Sequence, residues 1–145
     1  MKITGSCFCG EIGYEAELRN APMTVCHCRD CQVLGGSAFR LAAPVSPRRF
    51  EVTRGAPKHF DKTADSGKVR RMVFCGTCGT HICSLPPASE PDGFVAIRIA
   101  TADQFDRLSP AAEVFCRSKV EWMPGLENTV PFSEMPVTPA KKTPR

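Results

Sequence analysis

The sequence predicts a mainly β, single-domain protein, and three observations carry that expectation. From Gly10 to Leu18 the residues alternate, with Ile12, Tyr14, Ala16 and Leu18 on one face and Glu11, Glu15 and Glu17 on the other. A period of two with a polar outer face marks a half-buried antiparallel strand. Thirteen prolines and eleven glycines break the chain into pieces that suit short strands and tight turns, and no segment sustains a helical period. Seven of the nine cysteines fall into three tight groups, Cys7 and Cys9, then Cys26, Cys28 and Cys31, then Cys75 and Cys78.

Taken in order, the alternating strand is followed by the second cysteine group and a single helical turn expected over residues 30–34. Strands are expected over residues 38–45, 50–53, 69–74, 81–85, 94–100 and 113–117, where β-branched and aromatic residues concentrate. Residues 61–68 are polar and contain a glycine, and read as an exposed loop before the strand that delivers Cys75. A second helical turn is expected over residues 102–105. From Pro136 onward proline, lysine and threonine dominate without large apolar anchors; such a composition cannot offset the entropy of ordering. The expected organisation is therefore a domain over residues 1–135 and a flexible tail over residues 136–145.

A length of 145 residues suits one domain with a core able to fold alone. The formal net charge is +4 and the sequence pI about 8.6, with no long basic run, which argues against a nucleic-acid binder; those show a concentrated basic face and a pI above about 9. Such a charge is compatible with a small anionic ligand. No apolar run approaches the roughly 20 residues of a membrane span, and the first residues enter the cysteine pair without the apolar stretch of a secretion signal. Nine cysteines in that setting point to reduced thiols holding metal, hence a cytoplasmic protein, rather than to a disulfide framework.

Thiolates two or three residues apart converge on one ion without straining the backbone, and zinc takes four such donors tetrahedrally. Cys75-Gly76-Thr77-Cys78-Gly79 has the form of a zinc knuckle, in which Gly79 can take a positive φ and turn backbone N–H groups toward the sulfurs. A knuckle supplies half a tetrahedron, and Cys7-Phe8-Cys9 is the natural supplier of the other half. Cys26-His27-Cys28-Arg29-Asp30-Cys31 is denser and holds three thiolates with no obvious fourth. His27, His81 or Cys83 could close that site; otherwise water or a substrate thiol fills an open position, as catalytic zinc sites allow. Cys83 and Cys116 lie in apolar stretches and read as core residues, His59 reads as surface, and His81 as a hydrogen-bonding neighbour of the knuckle.

Four motifs together resemble the glutathione-dependent formaldehyde-activating enzyme family, which also includes centromere protein V. They are Gly5-Ser6-Cys7-Phe8-Cys9-Gly10, Cys26-His27-Cys28-Arg29-Asp30-Cys31, Gly36-Ser37-Ala38-Phe39 and Phe74-Cys75-Gly76-Thr77-Cys78-Gly79-Thr80-His81. Trp122 and residues 124–136 resemble the family's C-terminal end more loosely. The resemblance implies a β-tent of short antiparallel sheets with two zinc ions. It implies a closed structural site of Cys7, Cys9, Cys75 and Cys78, and a catalytic site of Cys26, Cys28 and Cys31 with a non-protein fourth ligand. The implied activity is that of a carbon–sulfur lyase, the condensation of formaldehyde with glutathione to S-hydroxymethylglutathione.

Three thiolates around Zn²⁺ carry a net charge of about −1, which suits the ion to holding a soft thiolate rather than to generating hydroxide. The expected partners are a small-molecule thiol and a small aldehyde, with Arg29, Arg40, Arg48, Arg49, Arg70 and Arg71 as candidate cations for the carboxylates of glutathione. Two other readings compete. One is a non-catalytic, zinc-stabilised binding module; the other is a thiol-redox protein using Cys28 and Cys31 as a dithiol.

Overall fold

A computed structural model describes residues 1–18 and 23–136. Ten strands join into a single connected sheet: β1 (Lys2–Ser6), β2 (Gly13–Leu18), β3 (Thr24–Cys26), β4 (Arg40–Arg54), β5 (Lys58–Thr63), β6 (Val69–Phe74), β7 (His81–Leu85), β8 (Val95–Ile97), β9 (Ala112–Val114) and β10 (Val130–Pro131). One short helix, α1 (Arg29–Gly35), follows β3. The strand order is β10-β9-β3-β4-β8-β7-β6-β5, with β1 and β2 attached as a branch through β4.

The expectation of a mainly β protein is met, with one correction to the strand plan. Residues 38–45 and 50–53, read as two strands, belong to the 15-residue β4. Pro47 falls between the two, where a proline reads as a break. The strand continues because its two ends have different partners: Arg40–Ala42 face β3, whereas Val45 to Arg54 run beside β2. The change of register between Ala16↔Phe50 and Leu18↔Val45 leaves residues 46–49 out of the β2 ladder, so Pro47 costs no hydrogen bond there. The sheet is also not wholly antiparallel, since β9 runs parallel to both β3 and β10.

Four strands were not anticipated: β1, β3, β5 and the two-residue β10. β1 and β3 are short, and β5 occupies part of the segment 61–68 expected to be a loop. Its sequence Lys-His-Phe-Asp-Lys-Thr has mostly exposed side chains, as charged sheet edges do. The turn that closes the β5–β6 hairpin is shorter than expected, held by the Gly67 N–H donating to the Ala64 carbonyl at 2.8 Å. Two expected strands are cut short: residues 99–101 and 116–118 form single 3-10 turns. The turn expected over residues 102–105 is displaced to 3-10 turns at 99–101 and 105–107. Of the expected tail, residues 137–145 lie outside the described residues.

The core packs Ile12 and the inner face of β2, Tyr14 and Ala16, against Ile3, Val45, Ile82, Cys83, Val95, Ile97 and Ile99. The alternation read from residues 10–18 is that of the folded strand, with Leu18 half-buried at its end. Cys7 and Cys75 belong to the same cluster, so one group of thiols is continuous with the core. No helix among the described residues is long and apolar enough to cross a membrane.

Candidate metal centres

Two turns build the first centre. Cys7 and Cys9 lie on the turn after β1, and Cys75 and Cys78 on the turn between β6 and β7. Each turn ends in a glycine at positive φ, Gly10 at 79° and Gly79 at 75°, a conformation that would strain any residue with a Cβ. Phe8 N–H donates to the Thr80 hydroxyl at 3.1 Å and joins the two turns. The four sulfurs lie within 4.8 Å of one another, with Cys7 to Cys9 at 3.6 Å and Cys9 to Cys75 at 3.8 Å. Four sulfurs at tetrahedral corners about 2.3 Å from a zinc ion would stand about 3.8 Å apart. The donor set therefore fits such an ion.

Backbone N–H groups point at these sulfurs: Ile12 at Cys7 (3.2 Å), and Thr77 and Cys78 at Cys75 (3.4 and 3.5 Å). Such donors favour the thiolate that a metal requires. The Thr80 hydroxyl and backbone N–H, followed by the Cys9 N–H, bring the Cys78 thiol down to about 5.

The second centre is local. Cys26 ends β3, Cys28 caps α1, and Cys31 lies in its first turn, where its N–H donates to Cys28 Sγ at 3.4 Å. The three sulfurs lie within 4.8 Å of one another. Cys26 is buried, whereas Cys28 and Cys31 are half-exposed. Hydrogen bonds from Cys26 and Cys31 bring the Cys28 thiol down to about 2, and the same contacts push Cys26 up. Without a cation the cluster thus accommodates one negative charge and resists more; a divalent ion removes that resistance. Neither His27, His81 nor Cys83 joins these three sulfurs in a ligand group among the described residues.

Positive charge surrounds the second centre. Arg40 stands opposite Cys26 in the β3–β4 register and is only 7% exposed. Arg98, 9% exposed, follows β8. Nη1 and Nη2 of Arg40, Nε of Arg98 and Nδ1 of His81 are buried without a hydrogen-bond partner. Burial lowers the Arg40 guanidinium, against the pull of Cys31, Cys26 and Cys28. Burial and then the like charge of Arg40 bring Arg98 down to about 10. His81 is lowered by burial, then by both arginines, and its ring stacks on Phe74 with centroids 5.9 Å apart. Lys62 pairs with Asp30 on the rim.

A third group, His27, Glu113 and Cys116, also brings ligand-type atoms within 4.8 Å. Its carboxylate is already occupied. Glu113 accepts from His27 Nε2 at 2.8 Å, Lys119 Nζ at 2.9 Å, the Leu126 N–H at 2.9 Å and the Thr129 hydroxyl at 2.8 Å. Lys119 already supplies the positive charge, so this group is an anchor rather than a metal site. It holds the loop between Cys26 and Cys28 to the C-terminal segment.

The remaining candidates are scattered. Arg48, Arg49 and Arg71 pair with Asp92, Glu17 and Asp61 at the surface. Arg70 donates to the Ser84 hydroxyl and the Ser84 and Phe94 carbonyls, and Arg29 to Gln32. Of that set Arg40 is the member buried beside the second centre. Cys83 is buried in the core as expected, Cys116 only half-buried, and His59 exposed. Arg98 and Glu113 were not anticipated. A signal existed for Arg98, a lone charge in the apolar run Val95-Ala96-Ile97-Arg98-Ile99.

The family model described as glutathione-dependent formaldehyde-activating enzyme matches residues 2–118, a span that holds both cysteine centres. No curated protein matches the chain. The fold is similar to the crystal structure of a Rhodobacter sphaeroides protein, with a TM-score of 0.55 and 26% identity over 69% of this chain and 87% of that one.

Proposed function

Because this chain belongs to the glutathione-dependent formaldehyde-activating enzyme family, we propose that it is a zinc-dependent carbon–sulfur lyase joining a small aldehyde to glutathione or a similar thiol. The observation that carries the reading is the contrast between two clusters. One has four sulfurs and needs nothing more, while the other has three and no fourth protein donor among the described residues.

In this reading Cys7, Cys9, Cys75 and Cys78 hold a structural ion, and Cys26, Cys28 and Cys31 hold the ion that takes part in the reaction. Zinc bound there would supply the positive charge that keeps a substrate thiol deprotonated at neutral pH. Cys26 anchors its end of the site in the interior, while half-exposed Cys28 and Cys31 leave an approach from solvent. The substrate thiol gives its proton to solvent, and its sulfur then forms a bond to the carbonyl carbon. The π pair of the carbonyl moves to oxygen, which takes up a proton to give the S-hydroxymethyl adduct. The lyase direction reverses each step. Unpaired cysteines throughout the described chain support a reducing, cytoplasmic setting.

The test is exchange NMR on purified protein with glutathione and formaldehyde, beside the Cys28→Ser variant. The reading predicts adduct formation faster than the spontaneous rate, with the acceleration lost in the variant. A rate equal to the spontaneous one, in protein holding both ions, would overturn it.

A further inference from the structure

Arg40 stands opposite Cys26 in the β3–β4 register, and Arg98 follows Ile97, which pairs with Ala43 of the same β4 strand; no carboxylate among the described residues answers either guanidinium. Neither Arg40 nor Arg98 forms an ion pair among the described residues, although both are more than nine-tenths buried. Three of their nitrogens have no hydrogen-bond partner. A buried, unpaired charge is costly, so a counter-charge is expected nearby. The acidic groups acting on Arg40 are Cys31, Cys26 and Cys28; those acting on Arg98 are Cys31, Cys83 and Cys26. Burial pushes the Cys83 thiol up to about 12, which leaves it neutral at physiological pH. The three-cysteine cluster is therefore the partner that remains.

We propose that Arg40 and Arg98 make the open position of this centre selective for an anion, a thiolate in the reaction or a small inorganic anion in its place, over a neutral donor. The inference rests on the metal-loaded reading above and adds the specificity of its fourth position. Three thiolates and one divalent ion leave a charge of about −1, and a fourth anionic ligand takes it to about −2. Alone, that second negative charge would oppose ligand entry. Two guanidiniums facing a charge of about −1 leave a surplus of about +1, which an entering anion cancels and a neutral donor does not. Lys62 adds little to this balance because Asp30 pairs with it. Both arginines act through space; they are positioning and specificity residues.

The inference is tested in protein reconstituted with cobalt(II) in place of zinc, whose visible absorption reports the ligands of the ion. Azide is titrated as the anionic probe and imidazole as the neutral one. The native protein should bind azide at least about 10-fold more tightly than imidazole. Arg40→Met and Arg98→Met should each weaken azide roughly 10-fold and leave imidazole within about 2-fold, while Arg40→Lys and Arg98→Lys keep most of the azide affinity. The native comparison needs no variant to fold, and equal affinity for the two probes in native protein holding both ions overturns the inference alone. So does an unchanged azide affinity in folded methionine variants, or an equal loss in the lysine variants. Native protein that takes up only one cobalt ion contradicts the functional reading itself, and is recognised by metal count before any probe is added.

Discussion

His27 Nε2 lies 2.8 Å from Oε2 of Glu113, and both side chains are sealed from solvent, at 0% and 2% exposure. Eighty-six positions separate them in sequence. The bond ties the loop carrying Cys26 and Cys28 to β9 and the segment beyond it. Removal of the carboxylate would strand His27, Lys119 and the Leu126 N–H at once, while the Thr129 hydroxyl keeps the Leu126 carbonyl as acceptor at 2.7 Å. Glu113→Ala is therefore expected to destabilise the metal-loaded protein by about 3–5 kcal/mol, the usual cost of breaking a buried charged pair from one side. Denaturant unfolding checks this, and a loss below about 1 kcal/mol would contradict the anchor role.

The same carboxylate sets a pH dependence. Burial alone would raise Glu113, but donation from Lys119, the Leu126 N–H, His27 and Thr129 outweighs it and holds the group down at about 2 instead of 4.5. A carboxyl depressed in the folded state stabilises above its unfolded pKa and loses that contribution as pH falls through its folded one. The stability difference between native protein and Glu113→Gln should be constant above about pH 5 and shrink between about 4.5 and 2. A difference independent of pH would contradict the assignment.

Gly5 leads into the first cysteine turn and is required for close approach rather than for an unusual φ. A Cβ there would sit 2.4 Å from both the Thr101 carbonyl and the Tyr14 hydroxyl. Gly5→Ala should cost about 1–3 kcal/mol through overpacking. Adding Tyr14→Phe should recover little of the loss, because the ring carbon Cζ, 2.5 Å from that Cβ, and the Thr101 carbonyl both stay in place. Thermal unfolding of the single and double variants checks this, and full recovery in the double variant would contradict it.

The two cysteine centres should fail differently. Cys75 is fully buried and joined to the core, and it accepts two backbone N–H groups. Cys75→Ser should remove one metal ion and abolish cooperative folding, as loss of a structural zinc does. Cys28→Ser should also remove one ion yet retain the fold, because β3, α1 and β4 stay tied by the sheet and the Glu113 anchor. Metal analysis beside circular dichroism checks both.

The grouping of the sulfurs was legible because metal-ligand spacing is local: three of the second cluster's donors fall within six residues. The inner face of β2 was legible because its alternation reports burial directly. β5 was hidden, since a charged edge strand carries no apolar face to read. β4 was divided around Pro47, which a bulge and a change of partner accommodate. Arg98 and Glu113 escaped notice for a different reason. Their roles depend on residues brought from distant strands, and no local pattern marks a carboxylate that will meet a histidine across the parallel β3–β9 pair.

The central claim is that one centre is closed and the other open, and glutathione titrated into cobalt-substituted protein tests it most directly. The account predicts two bound ions, a change in absorption attributable to one of them, and loss of that response together with that ion in Cys28→Ser. Two tightly bound ions whose spectra are both indifferent to glutathione would contradict it.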